Sequence, residues 1–155
     1  MNRAAHPAQL LLWRHAQAEE GGVDAARALT RRGQKQAARL AGWLAAQLPA
    51  EYRLLVSPAV RAQQTASALQ SEFATLDDLA VDCSAPAALA AAGWPGCGGT
   101  TIIVGHQPTL GRIAALLLCG REQAWTLRKG ALWWLQLRDE RAAVSVRAVV
   151  DPDFL

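Results

Sequence analysis

Short apolar runs of strand length alternate along this chain with longer segments of helical period, and that alternation restricts the fold more than any other feature. Leu10-Leu11-Leu12-Trp13, Leu54-Leu55-Val56 and Thr101-Ile102-Ile103-Val104 each break off abruptly into polar residues. Continuous apolar runs of this length suit strands buried on both faces. Behind the first run, Ala37, Leu40, Ala41, Leu44 and Leu48 recur at helical spacing, from Thr30 as N-cap to a stop at Pro49. Ser57-Pro58 reads as an N-cap and first helical position, opening a helix with Ala62, Ala66, Leu69 and Phe73 inward. Pro108 begins another, with Leu110, Ala114, Leu117 and Leu118 on its buried side. Ala80-Val81 is predicted as a short strand, Pro86 to Ala92 as a short helix and Gly93 to Gly99 as a loop. Two last strands, Ala131 to Leu137 and Ala143 to Val150, flank the polar turn Arg138-Asp139-Glu140-Arg141. The expectation is a three-layer α/β/α sandwich with a mostly parallel central sheet of about six strands, helices on both faces and a hairpin-like C-terminal pair.

The 155 residues, 52% of them hydrophobic, suffice for one domain spanning 1–155, with 1–8 as a loose polar tail. A net charge of +3 is spread over scattered arginines, with pairs only at Arg31-Arg32 and Arg128-Lys129. A nucleic-acid surface would need a basic block interleaved with aromatics, and none is present. Cys83, Cys97 and Cys119 are odd in number and lack a C-x-x-C, as expected of buried, reduced thiols in the cytoplasm. No apolar run approaches the ~18 residues of a membrane span, and Met1 to Pro7 reads as a polar tail with neither the charged n-region nor the h-region expected of a secretory segment.

The ends of the predicted strands carry the chemistry. The first run delivers Arg14-His15, the second leads into a helix whose first turn holds Arg61, and the third-named ends at Gly105-His106 before another helix. Parallel strands would bring all three ends to one sheet edge, where ligands of α/β folds bind. Two arginines, two histidines and two helix N-termini then converge, which suits a phosphoryl group. The segment Gln17 to Ala28 is long enough to fold over such a site.

These residues resemble the histidine phosphatase superfamily, in its phosphoglycerate-mutase-like branch. Arg14-His15-Ala16 is similar to the family's Arg-His signature. Ser57-Pro58-Ala59-Val60-Arg61-Ala62-Gln63-Gln64-Thr65-Ala66 is similar to its S-P-x-x-R-A-x-Q-T-A block, and Val104-Gly105-His106-Gln107-Pro108 to its second-histidine motif. Asp24-x-x-Arg27-x-Leu29-Thr30-x-x-Gly33 matches a stretch of the short members. The motifs come in family order, and the lack of long insertions resembles the compact SixA-type phosphohistidine phosphatases.

The resemblance implies a metal-independent, cofactor-free phosphatase. His15 would attack phosphorus through one ring nitrogen while the other donates to a nearby acceptor. Arg14 and Arg61 would hold the phosphoryl oxygens, a protonated His106 would complete the positive pocket, and Gln107 could add its backbone N–H. Glu19 is the candidate general acid, with Asp82 as the alternative. The expected substrate is phosphohistidine on a partner protein such as a histidine phosphotransfer domain. A small phosphate ester is the rival within enzymes, and a non-catalytic phosphoprotein-binding module the rival outside them. A zinc site from His6, His15 and His106 lacks ligand spacing, and the adjacent arginines would repel a cation. Asp24 with Arg27 reads as a loop-ordering salt bridge, Thr65 as helix packing, and Trp94 and Trp125 as possible rim residues.

Overall fold

The computed structural model describes residues 7–96, 98–139 and 141–155. His6, Cys97 and Glu140 therefore lie outside the described residues. Six strands form one sheet: β1 Ala8–Arg14, β2 Arg53–Val56, β3 Ala74–Thr75, β4 Thr100–Gly105, β5 Leu132–Leu137 and β6 Ser145–Val150. Their order is β3-β2-β4-β1-β5-β6. The pairings β1–β4, β2–β4 and β2–β3 are parallel, whereas β1–β5 and β5–β6 are antiparallel. The sheet is thus mixed and mostly parallel, closed at one edge by the C-terminal hairpin.

Alternation along each strand divides the core in two. Leu10 and Leu12 of β1, Leu55 of β2 and Ile103 of β4 face one side. They pack there with α3 (Ala85–Ala91) and α4 (Thr109–Cys119), through Ala88, Leu110 and Ile113. Leu11, Trp13, Leu54, Val56, Ile102 and Val104 face the other, against α1 (Arg31–Gln47) and α2 (Val60–Ser67). Three layers result, as the alternation of runs and periodic segments implies. No helix among the described residues is long and apolar enough to cross a membrane.

Helix α1 follows its sequence closely: the Thr30 hydroxyl accepts from the Gly33 N–H at 2.9 Å, and the helix closes at Leu48, before Pro49. Elsewhere the boundaries differ. The strand expected at Ala80-Val81 is instead β3, six residues earlier, paired with Leu55 and Val56 and followed by a 3-10 turn at Asp77–Leu79. Two exposed residues carry no period, while the 3-10 turn buries Leu79 and gives its neighbours an apolar look. Helix α2 starts at Val60 with Ala59 as N-cap, not at Pro58; the Ser57 hydroxyl accepts from the Ala59 N–H, just ahead of the helix. It ends at Ser67, so Leu69 and Phe73 reach the core from beyond the helix. Ala8, expected in the tail, opens β1 and is buried. Cys83 is half-buried and Cys119 exposed, against the expectation of buried thiols.

Candidate active site

Strand register assembles the site. Arg14 pairs with Gly105 and Val56 with Val104, so β1, β4 and β2 end at one level. Backbone bonds then carry this level one residue further, from His15 N–H to Gly105 O at 3.1 Å and from Ser57 N–H to Val104 O at 3.0 Å. His15 and His106 are thereby set side by side, with ring centroids 5.2 Å apart. Both are almost fully buried, at 7% and 3% exposure, and Arg61 is 3% exposed beside them.

The hydrogen bonds fix what each group can do. His15 Nδ1 lies 2.8 Å from the carbonyl of Ala16, an acceptor only, so Nδ1 carries the proton. The Nε2 lone pair is left facing Arg61, whose Nε–H reaches it at 3.3 Å. Arg61 is held from its far end by one residue: Nη1 donates to the Asp24 carbonyl at 2.8 Å and Nη2 to its carboxylate at 3.1 Å. That end-on grip turns the Nε edge toward His15 Nε2. Asp24 also binds Arg27 at 3.0 Å, so the expected loop salt bridge exists and does a second job. Arg27 and Arg61, in that order, hold the Asp24 carboxyl below its usual range.

Ser57 Oγ accepts from the Ala59 N–H at 3.2 Å and lies 2.6 Å from His106 Nε2. Among the described residues that nitrogen is the one acceptor within reach of the Ser57 hydroxyl proton, and a proton given to it leaves the ring proton on Nδ1. His106 Nδ1 and Arg14 Nε are both buried without a hydrogen-bond partner. Buried donors ordinarily find partners, and two such donors lining one cavity with His15 suit the oxygens of an anion. Arg14 is anchored by Nη1, which donates to the Leu127 carbonyl at 2.7 Å, and burial lowers its pKa.

The protonation state of His106 corrects the sequence reading. Burial, followed by the Arg61 charge, pushes its imidazole down to about 4, so at neutral pH it is a neutral Nδ1–H donor, not a cation. Burial likewise pushes His15 to about 3, with His106, Arg61 and Arg14 adding to the effect and the Ala16 carbonyl opposing it. A neutral His15 is what an attacking nitrogen requires.

These groups line a cavity of about 300 Å³ with Ala18, Glu20, Asp24, Arg27, Val81, Gln107 and Lys129. Glu19, the candidate acid, is exposed and absent from this lining, as is Asp82. The carboxylates that do face the cavity are Glu20 and Asp24. Gln107 lies in the wall, its side chain binding the Trp125 carbonyl and the Gly111 N–H at 2.8 and 3.0 Å. Trp94 and Trp125 pack against the first core cluster and do not line the cavity. The segment 17–28 forms part of the cavity wall through Ala18, Glu20, Asp24 and Arg27, shaped by the 3-10 turn Asp24–Ala26 and a bridge from Ala18 to Leu29.

Several contributors carry no readable sequence signal. The Gly130 N–H binds the His15 carbonyl at 3.0 Å, and the Gly130 carbonyl accepts from Trp13 Nε1 at 3.2 Å. Thr65 accepts from the Ala16 N–H at 3.1 Å, a role its place in a motif one turn after Arg61 hinted at.

The model of the histidine phosphatase superfamily (branch 1) matches residues 10–81. No curated protein matches the chain in sequence. Among solved structures, the protein histidine phosphatase SixA complexed with tungstate is 26% identical. It covers 94% of this chain and 98% of its own at a TM-score of 0.80. A structure assigned as a SixA phosphohistidine phosphatase from Nakamurella multipartitia is 25% identical, covering 96% and 98%, with a TM-score of 0.78. An Escherichia coli structure assigned as an alpha-ribazole-5'-P phosphatase, at 16% identity and a TM-score of 0.72 over 94% and 98%, shares the fold. Family match over residues 10–81, fold and the order of the motifs agree: the chain is similar to the histidine phosphatase superfamily, and these likenesses support a phosphatase.

Proposed function

We propose that the chain removes the phosphoryl group from phosphohistidine on a partner protein, such as a histidine phosphotransfer domain in the cytoplasm, through a phosphoenzyme on His15. The observation that carries this reading is the lone pair of His15 Nε2, met only by a long 3.3 Å contact from Arg61 Nε–H. Nδ1 is bound to Ala16, and His15 shares its cavity with two unpartnered buried groups, Arg14 Nε and His106 Nδ1. A SixA structure holds tungstate, a tetrahedral oxyanion like phosphate, which supports an oxyanion as the kind of ligand this chain takes.

In the first step the Nε2 lone pair forms the bond to phosphorus and the bond from phosphorus to the substrate imidazole breaks. That imidazole, protonated on its other nitrogen, departs neutral with the electron pair and needs no proton from the enzyme. Water then attacks phosphorus, the Nε2–phosphorus bond breaks, and His15 returns to its neutral form while both water hydrogens leave on the phosphate. Arg14, Arg61 and His106 Nδ1–H bind the phosphoryl oxygens throughout. Positioning and charge stabilisation are most of what such a transfer needs, so the reading calls for no metal.

A small phosphate ester is the second reading, favoured by Glu20 in the cavity wall, since an alkoxide leaving group needs a proton. The test compares wild type and a folded His15→Ala variant on a phosphorylated histidine phosphotransfer domain and on an aryl phosphate, with trapping of labelled enzyme. Wild type should turn over the phosphohistidine substrate faster and form an acid-labile, base-stable phosphoenzyme, and both should vanish in the variant. Undiminished turnover in His15→Ala would overturn the mechanism, and faster ester hydrolysis would favour the second reading.

A further inference from the structure

A second cavity, of about 280 Å³, adjoins the first and shares Arg14 and Lys129 with it. Arg32 and Arg128 complete its cationic lining, and Asp153 is the one carboxylate in it. Asp153 stands 3.5 Å from Arg32 and 3.8 Å from Arg128, both beyond hydrogen-bond length. The short contact of Arg128, at 2.8 Å, is to Asp151. Among the described residues no carboxylate pairs with Lys129. Four cations line the cavity against two carboxylates, Asp151 paired with Arg128 and the loosely held Asp153, which leaves the cavity positive. Arg32 and Arg128 are 64% and 68% exposed, open to a protein surface resting on the site.

Resting on the phosphohistidine reading above, we infer that this cavity is a second anionic subsite. It takes an aspartate or glutamate side chain that the partner protein presents next to its phosphohistidine. The shared wall makes the arrangement specific, because a group anchored at His15 can present a second anion only a side chain away. Exposed ion pairs are individually weak and screened by salt. The preference for an acidic neighbour is therefore expected to be about tenfold and to shrink as salt rises.

The test uses two phosphohistidine peptides of equal length, with glutamate or glutamine flanking the phosphohistidine, and an aryl phosphate as a substrate with one anionic group. Wild type should hydrolyse the glutamate peptide with about tenfold higher kcat/KM. In the Arg32→Gln/Arg128→Gln double variant that ratio should fall to near one while aryl phosphate turnover stays at its wild-type level. Asp153→Asn, which removes the competing carboxylate, should raise the ratio. Binding of the unphosphorylated glutamate peptide, measured by titration, should be weakened in the double variant whether or not either peptide is hydrolysed. A failure of the phosphohistidine reading, with no peptide turnover, is thereby told apart from a failure of the subsite. Equal peptide kinetics in wild type, or binding unchanged by the double variant, overturns the inference.

Discussion

Thr65 is wholly buried one turn after Arg61, and its hydroxyl binds in two directions. It donates to the Arg61 carbonyl at 2.7 Å and accepts from the Ala16 N–H at 3.1 Å, so helix α2 grips the backbone just past His15. Thr65→Val keeps the shape and leaves that N–H unpartnered, at a cost of about 1–3 kcal/mol in chemical denaturation. The Ala16 carbonyl that orients His15 would shift with it, so kcat should fall more than KM rises, and Thr65→Ser should restore both. An unaltered kcat in a destabilised Thr65→Val would make Thr65 a packing residue only. Ser57 acts on His106 in a similar way. Ser57→Ala frees Nε2 to take the ring proton, which turns Nδ1 into an acceptor facing the anion. Binding of inorganic phosphate should weaken by about tenfold, or ~1.4 kcal/mol, and ring nitrogen shifts in NMR should report the changed tautomer.

At the scale of elements, the site depends on how closely the 17–28 segment approaches α1. A Cβ on Gly33 would stand 1.9 Å from the Gln17 carbonyl oxygen, a backbone atom that cannot move alone. Gln17 also accepts from the Thr30 N–H at 3.0 Å, so Gly33→Ala must push apart the loop that carries Asp24 and the helix behind it. Overpacking of this kind costs roughly 1–3 kcal/mol. Arg61 would lose its end-on grip, and KM should rise alongside a lowered thermal midpoint. A variant with unchanged KM would show that Arg61 keeps its place without the loop. These contacts mark where reading the sequence stops. The strands, the Thr30 cap, the Pro49 stop and the Arg14, His15, Arg61 and His106 set were legible because apolar period and capping chemistry are local. The start of α2 was not, since a Ser-Pro pair looks like a cap and first turn, while the Ser57 hydroxyl binds the Ala59 N–H and a histidine 49 residues away and the helix opens only at Val60. Nor was the role of Leu127 and Gly130, which act through backbone atoms that every residue shares. Glu19 rests on the family resemblance alone, whereas the turn of the segment brings Glu20 and Asp24 to the cavity.

The whole molecule decides the charge of the two histidines, because burial is a property of the packed fold. Strand order places β1 between β4 and β5 at the centre of the sheet, so the residues following β1 and β4 emerge beside the 17–28 segment rather than at an open edge. Both imidazoles have folded pKa values, about 3 for His15 and about 4 for His106, below the ordinary 6.5 of an unfolded chain. As pH falls through about 6.5, the unfolded chain takes up protons that the folded one refuses, so stability is lost on the acid side. The slope approaches ~1.4 kcal/mol per pH unit for each buried histidine until its folded pKa is reached. Asp24, also depressed but half exposed, adds a small loss in the same direction only as pH falls through the carboxylate range. The thermal midpoint should therefore be level above about pH 7 and fall steeply toward pH 4.5. A folded His106→Asn variant should fall with a shallower slope, since one of the two imidazoles is gone. Inorganic phosphate should offset part of the loss, because an anion in the cavity favours the charged rings. A midpoint that stays level to pH 4.5 would mean that the rings are solvated, and the neutral nucleophile and neutral donor would then have to be given up together.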